Sequence, residues 1–132
     1  MTGREGVVAI VDDDVSVRRG LERLLRIGGY RVRTFTSAAE FHASDHGQDI
    51  ACLILDVRMP GPSGLDLQEA LKVEAHGIPI VFMSGHGDLG VVVRAMRGGA
   101  IDFLTKPVDG RELFDAVKRA LARRRIGGRV GA

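Results

Sequence analysis

Leu53-Ile54-Leu55-Asp56-Val57-Arg58-Met59-Pro60-Gly61-Pro62 is the stretch that decides how this chain folds. An apolar run ends abruptly in a carboxylate, and a turn rich in proline and glycine follows. That pattern belongs to a strand buried in a parallel sheet, which delivers one acid to the sheet's C-terminal edge. In open α/β sheets that edge is where ligands bind. Taken alone, Asp56 has three roles open to it: helix cap, metal ligand or nucleophile.

The segments on either side extend the pattern. Val7-Val8-Ala9-Ile10-Val11 reads as a first strand and runs straight into Asp12-Asp13-Asp14. Val17, Leu21, Leu24 and Leu25 then recur at helical spacing until Gly28-Gly29 stops them. Residues 30–35 alternate apolar and polar, which predicts a half-exposed second strand. Ser37 and Glu40 form a capping box for a short helix with Phe41 inward. Ser63 caps a third helix carrying Leu65, Leu67, Ala70 and Leu71. A fourth strand over 78–83 ends at Ser84-Gly85-His86-Gly87-Asp88. Val91, Val92, Ala95 and Met96 mark a fourth helix, stopped at Gly98-Gly99. A brief fifth strand over 101–104 runs into Thr105-Lys106-Pro107. Asp109 and Glu112 open a last helix with Leu113, Val117, Ala120 and Leu121 inward. Gly127-Gly128 and the residues beyond read as unstructured.

Five strands alternating with five helices predict a doubly wound parallel sheet with right-handed crossovers. No residue signature recurs from unit to unit, so the period is βα alternation and not a solenoid.

Composition agrees. A chain of 132 residues, 27% charged and 45% hydrophobic, is one ordinary globular domain with a real core. No apolar run approaches the roughly 18–20 residues that span a bilayer. The opening residues do not read as a signal peptide. The lone Cys52 has no internal disulfide partner and reads as a buried, inert thiol. Together these features place the chain in the cytoplasm, away from the membrane. The net charge of +2 conceals an asymmetry: residues 1–110 hold 12 Lys/Arg against 15 Asp/Glu, residues 111–132 hold 7 against 2. The basic end reads as a solvated helix terminus with a tail. It lacks the interleaved aromatics and motifs of a nucleic-acid-binding segment.

Four strands end in a polar group that turn chemistry alone does not explain: Asp12-Asp13, Asp56, Ser84 and Lys106. Parallel strands put all of these at one edge. The common order 2-1-3-4-5 sets Asp12, Asp13 and Asp56 side by side, with Ser84 and Lys106 flanking. Clustered carboxylates repel, so a pKa rises or a cation joins them. Hard oxygen ligands beside solvent suit Mg²⁺. A divalent cation, a lysine and a hydroxyl together make a receptor for phosphoryl oxygens, and an aspartate there can act as a nucleophile. Each residue also has a plainer reading. The acidic trio could cap the first helix, though that explains one acid of three. Asp56 and Ser84 could be turn residues, and Lys106 a surface lysine. All five falling at one edge weighs against those readings.

Val11-Asp12-Asp13-Asp14, Leu55-Asp56-Val57-Arg58-Met59-Pro60-Gly61 with Gly64, Met83-Ser84-Gly85-His86-Gly87 and Phe103-Leu104-Thr105-Lys106-Pro107 resemble, in order and spacing, the receiver domain of two-component response regulators. Ser84–Asp88 with residues 95–103 looks most like the FixJ-type and NtrC-type receivers. The resemblance covers about residues 6–123. It implies a flavodoxin-like doubly wound five-stranded parallel sheet, with residues 1–125 as the receiver and 126–132 as a flexible basic tail or linker stub. It implies that Asp56 is the phosphoacceptor, served by a sensor histidine kinase. Mg²⁺ would be held by Asp12, Asp13, Asp56 and the Arg58 backbone carbonyl. Lys106 and Ser84 would bind the phosphoryl group, and Phe103 would be the aromatic switch. Arg58 and His86 would tune the phosphoryl lifetime. The Lys106-Pro107 bond is often cis in the family. The implied protein is a switch and not an enzyme, beyond assisting its own phosphorylation and dephosphorylation. Its helix 4, strand 5 and helix 5 face would control a homodimer, and DNA would enter only through a further C-terminal domain.

Serine stands at 84 where threonine is commoner, which keeps the hydroxyl, and Asp14 stands where glutamate is frequent. Three rivals fit less well. A Mg²⁺-dependent phosphohydrolase of the haloacid-dehalogenase type carries its nucleophile in an Asp-x-Asp after strand 1. A nucleotide binder needs a phosphate loop there, and three acids repel phosphate. A degenerate receiver would have lost part of the five-residue set. For output, the alternative to transcription control is a stand-alone regulator acting by protein contact or as a phosphate shuttle.

Overall fold

The five apolar runs form one parallel sheet in the order β2-β1-β3-β4-β5. The strands are β1 (Val7–Val11), β2 (Arg31–Phe35), β3 (Ile50–Asp56), β4 (Ile80–Ser84) and β5 (Asp102–Thr105). The helices between and after them are α1 (Val15–Ile27), α2 (Ala38–Ala43), α3 (Gly64–Val73), α4 (Leu89–Arg97) and α5 (Gly110–Gly131). The computed structural model describes residues 6–44, 49–58, 63–73, 77–85 and 89–131, with α5 given by its backbone alone beyond Arg123. The sheet order, the helix count and the flavodoxin-like winding are those expected from the sequence.

Strand periodicity divides the core into two layers. Val7, Ala9 and Val11 of β1, Leu53 and Leu55 of β3, and Ile80 and Phe82 of β4 face the layer of α2, α3 and α4. Val8, Ile10, Cys52, Ile54, Val81 and Met83 face α1 and α5. The central strands β1, β3 and β4 are therefore buried along their whole length. The edge strand β2 is not: Arg31 and Arg33 are exposed while Val32 and Phe35 are buried. A register shift keeps the two layers apart. Val7 pairs with Ile50 but Val8 with Cys52, and each pair shares a face because Ala51 is the extra residue.

Caps fix where the helices begin. Asp14 Oδ1 accepts the backbone N–H groups of Ser16 (2.8 Å) and Val17 (3.3 Å) at α1. Ser37 Oγ accepts the Glu40 N–H at 3.0 Å, while the Glu40 carboxylate accepts the Thr36 N–H. Ser63 caps α3 by accepting the Asp66 N–H at 3.2 Å, and Asp66 answers by accepting the Ser63 N–H at 2.9 Å. At α5, Asp109 accepts the Arg111 and Glu112 N–H groups.

The end of the chain departs from the sequence reading. The α5 backbone continues through Gly127-Gly128 to Gly131, where residues 126–132 were expected as a flexible tail. A glycine costs about 1 kcal/mol relative to alanine inside a helix, but it keeps its N–H, and no proline interrupts the ladder. The loops 45–48, 59–62 and 86–88, which hold the expected Pro/Gly turn and His86, lie outside the described residues. No helix among the described residues is long and apolar enough to cross a membrane.

Phe41 is fully buried and meets the Phe35 ring edge-on at 5.1 Å between centroids. It is the main link between the short α2 and the sheet edge. Phe41→Ala should lower the unfolding free energy by about 3–4 kcal/mol, measured as a fall in the urea midpoint at unchanged slope.

Candidate functional site

Asp12 and Asp13 follow β1 directly, Asp56 and Ser84 are the last residues of β3 and β4, and Lys106 is the first residue past β5. Val11 lies opposite Leu55 and Ser84 opposite Thr105, so these strand ends are level. The fold thus brings together four of the strand ends singled out in the sequence.

Lys106 joins the acids. Its Nζ lies 2.8 Å from Asp56 Oδ2, as a hydrogen bond, and 2.7 Å from Asp12 Oδ2, as an ion pair. The Lys106-Pro107 peptide bond is cis, and the Lys106 N–H donates to the Ser84 carbonyl at 2.8 Å. Asp12 is fully buried; its Oδ1 accepts the Asp14 N–H at 2.9 Å, and its Oδ2 accepts no hydrogen bond. Asp13 is exposed. Asp56 is 5% exposed and its Oδ1 accepts the Arg58 N–H at 2.9 Å. Burial pushes the Asp56 carboxyl above its ordinary value. The Lys106 and Arg58 hydrogen bonds pull it partly back, and the Asp12 charge raises it further. Burial also works against the Lys106 ammonium, but the two carboxylates outweigh that and its pKa ends raised.

One carboxylate oxygen from each of Asp12, Asp13 and Asp56 lies within 4.8 Å of the others, the one such cluster among the described residues. Three hard carboxylate oxygens converging at a solvent-facing strand edge are a donor set that fits a divalent cation.

Ser84 is 2% exposed. Phe103 is half-buried and stacks on its sheet neighbour Phe82 at 6.5 Å between centroids. Arg58 is exposed beside Asp56. Cys52 is buried behind the site, its thiol pushed up to about 12 by burial, as suits an inert packing residue.

One support escaped the sequence reading, and a second was quoted there in a motif without its role. Arg18 donates from Nη1 to the Asp12 carbonyl at 2.7 Å, reaching back over the first turn of α1. Its position one turn past the Asp14 cap was the available signal. Gly64 opens α3 against the end of β3: a Cβ there would stand 2.7 Å from the Asp56 carbonyl oxygen and 3.0 Å from Val57 Cα. The motif already carried Gly64, and its place just after the Ser63 cap was the hint of that close approach.

Fold and site define a flavodoxin-like α/β protein with an acid cluster and a lysine at its strand ends. The family model of the response regulator receiver domain matches residues 8–118, and the chain belongs to that family. It is 49% identical over 122 residues to Nodulation protein W of Bradyrhizobium diazoefficiens, covering 92% of this chain and 53% of the relative. It is 42% identical to the transcriptional regulatory protein FixJ of Azorhizobium caulinodans, covering 92% and 58%. Among solved structures, the response regulator StyR superposes with a TM-score of 0.85 at 46% identity, covering 96% of this chain and 66% of that one. FixJ-N superposes with a TM-score of 0.81 at 36% identity, covering 89% and 94%. The chain therefore spans about half the length of the curated relatives it matches. A receiver domain is a regulatory module and not a classical enzyme.

The raised Asp56 pKa has a sign for stability. The folded state binds a proton more readily than the unfolded chain, so Asp56 weakens the fold as pH rises from its ordinary value through the raised one. At pH 7 without added metal, Asp56→Asn should raise Tm. Lys106→Met should lower stability by about 2–4 kcal/mol by leaving Asp12 and Asp56 unbalanced. The double variant should recover only part of that loss, because Asp12 stays buried without Lys106, and calorimetry at pH 7 checks all three.

Proposed function

We propose that this chain is the Mg²⁺-dependent phosphoacceptor of a two-component system. On this reading Asp56 accepts a phosphoryl group from the phosphohistidine of a sensor histidine kinase in the cytoplasm. The observation that carries it is Lys106 Nζ held at 2.8 Å from Asp56 and 2.7 Å from Asp12. A cation poised on the acid that is modified can pair with the new phosphoryl oxygens without leaving the site.

Asp12, Asp13, Asp56 and the Arg58 carbonyl would hold Mg²⁺, with Asp12 acting largely through water. The cation would supply charge neutralisation for phosphoryl oxygens. The remaining work falls to the side chains. An Asp56 oxygen attacks phosphorus as the phosphorus–nitrogen bond of phosphohistidine breaks and imidazole leaves. Lys106 shifts from carboxylate to phosphoryl. The Ser84 hydroxyl donates to a phosphoryl oxygen, and Phe103 turns inward behind it. Arg58 and His86 tune how long the group survives. The new dianion thereby shifts the population of the face made by α4, β5 and α5. Arg119 and Asp102 form an ion pair on that face beside a cavity of about 410 Å³, which also borders Phe103 and Thr105. On this reading a homodimer forms there and the output is transcriptional, through a DNA-binding portion; the similar FixJ of Azorhizobium caulinodans is named a transcriptional regulatory protein.

Acetyl phosphate with Mg²⁺ should add one phosphoryl group, read by intact-protein mass spectrometry. Asp56→Asn and a metal chelator should each abolish it, and equal labelling of the Asn variant would sink the assignment. Lys106→Ala should still take the group while failing to shift the monomer–dimer balance in ultracentrifugation.

A further inference from the structure

Gln68 lies on α3, and the phosphoryl chemistry leaves it without a role. It is buried, at 8% exposure, and a buried amide is explained by what it binds. Its Nε2 donates to the Ala95 carbonyl of α4 at 3.0 Å. Gly98 covers the amide from the other side: a Cβ on Gly98 would stand 2.7 Å from Gln68 Cδ, Nε2 and Oε1. Glycine at 98 therefore leaves the space that the Gln68 amide occupies.

Ala95 is also a packing anchor of α4, with Val91 packed half-buried against the same core. Ala95 is the one fully buried residue of that helix, whereas Leu89, Val93 and Met96 are 76%, 38% and 42% exposed. The helix stops there as well. The Ala100 N–H donates to the same Ala95 carbonyl at 3.1 Å, the Gly99 N–H donates to Met96 at 3.1 Å, and Gly99 takes φ +100°. Packing anchor, helix stop and side-chain tether converge on the C-terminal end of α4. Any movement of α4 away from α3 therefore has to break the Gln68–Ala95 hydrogen bond.

We infer that Gln68 is a positioning residue whose amide pins the C-terminal end of α4 to α3 and holds the helix in its resting pose. The inference rests on the proposed reading of Asp56, since it concerns the movement that the modified site demands of α4. The modified state draws α4 away from α3, and the pin lowers the fraction of molecules ready for that movement. The apparent affinity for a phosphoryl mimic falls by that fraction. A net hydrogen bond corresponds to about a fivefold factor.

The test titrates beryllofluoride, in the presence of Mg²⁺, into the full chain, by fluorine NMR. Amide hydrogen exchange of α4 is followed alongside. Gln68→Leu should bind the mimic about fivefold more tightly than the parent and exchange α4 amides faster before it binds. Gly98→Ala should act the same way, because the three atoms nearest its methyl all belong to the Gln68 amide, at the far end of a flexible side chain that gives way before the backbone does. It also serves should Gln68→Leu fail to fold. A merely structural glutamine would lower Tm and leave the affinity unchanged, and that result in Gly98→Ala would overturn the pin. A parent protein that takes no beryllofluoride would instead overturn the reading of Asp56, and this inference with it.

Discussion

One ammonium group between two carboxylates is the interaction on which this site depends. Like charges about 4 Å apart repel by roughly 4 kcal/mol at the effective dielectric of a protein surface. A parallel sheet nevertheless forces the issue, because β1 and β3 are neighbours and both end in aspartate. Lys106 settles the balance from two strands away. It starts beyond β5, and its side chain passes the end of β4 to reach Asp56 and Asp12. Ser84 is the residue at the β4 end, with its carbonyl already holding the Lys106 N–H. A change in charge at Asp56 is thus felt first by the lysine, and Ser84 is its immediate neighbour.

The rest of the molecule is built so that this imbalance is tolerated. β1, β3 and β4 are buried throughout, with Ile10, Leu53, Ile54, Leu55 and Phe82 sealed between the helix layers. Such a sheet holds its strand ends level whatever the charges there prefer. The polar supports are local and inexpensive in sequence. Asp14 caps α1, Arg18 binds the Asp12 carbonyl, and Gly64 lets α3 start against Asp56. A site that is destabilising in its empty state has energy to release when a cation or a phosphoryl group completes it.

Most of this was legible in the sequence because it was written in local signals. Apolar runs marked the central strands, and their terminal acids and lysine marked the site. Ser37 with Glu40 and Asp109 marked helix starts. The unread parts depend on distances between elements. The shift at Ala51 only makes sense once Val7 and Val8 have partners. Gln68 looks like a surface residue of an amphipathic helix until α4 is laid beside it. The continuation of α5 past Gly127-Gly128 reflects a weak stop signal, two glycines without a proline.

The two helix layers are held unequally, and that decides where a signal can emerge. α1 and α5 bury Leu21, Leu25, Leu113, Ala116, Val117 and Ala120 on one face of the sheet. Any displacement of them would expose apolar surface at about 25 cal/mol per Å². On the other face α4 fully buries Ala95, packs Val91 half-buried, and leaves Leu89, Val93 and Met96 toward solvent. Moving α4 therefore exposes less apolar surface than moving α1 or α5. On the proposed reading of Asp56, α4 is the element of the α4, β5 and α5 face that gives most readily.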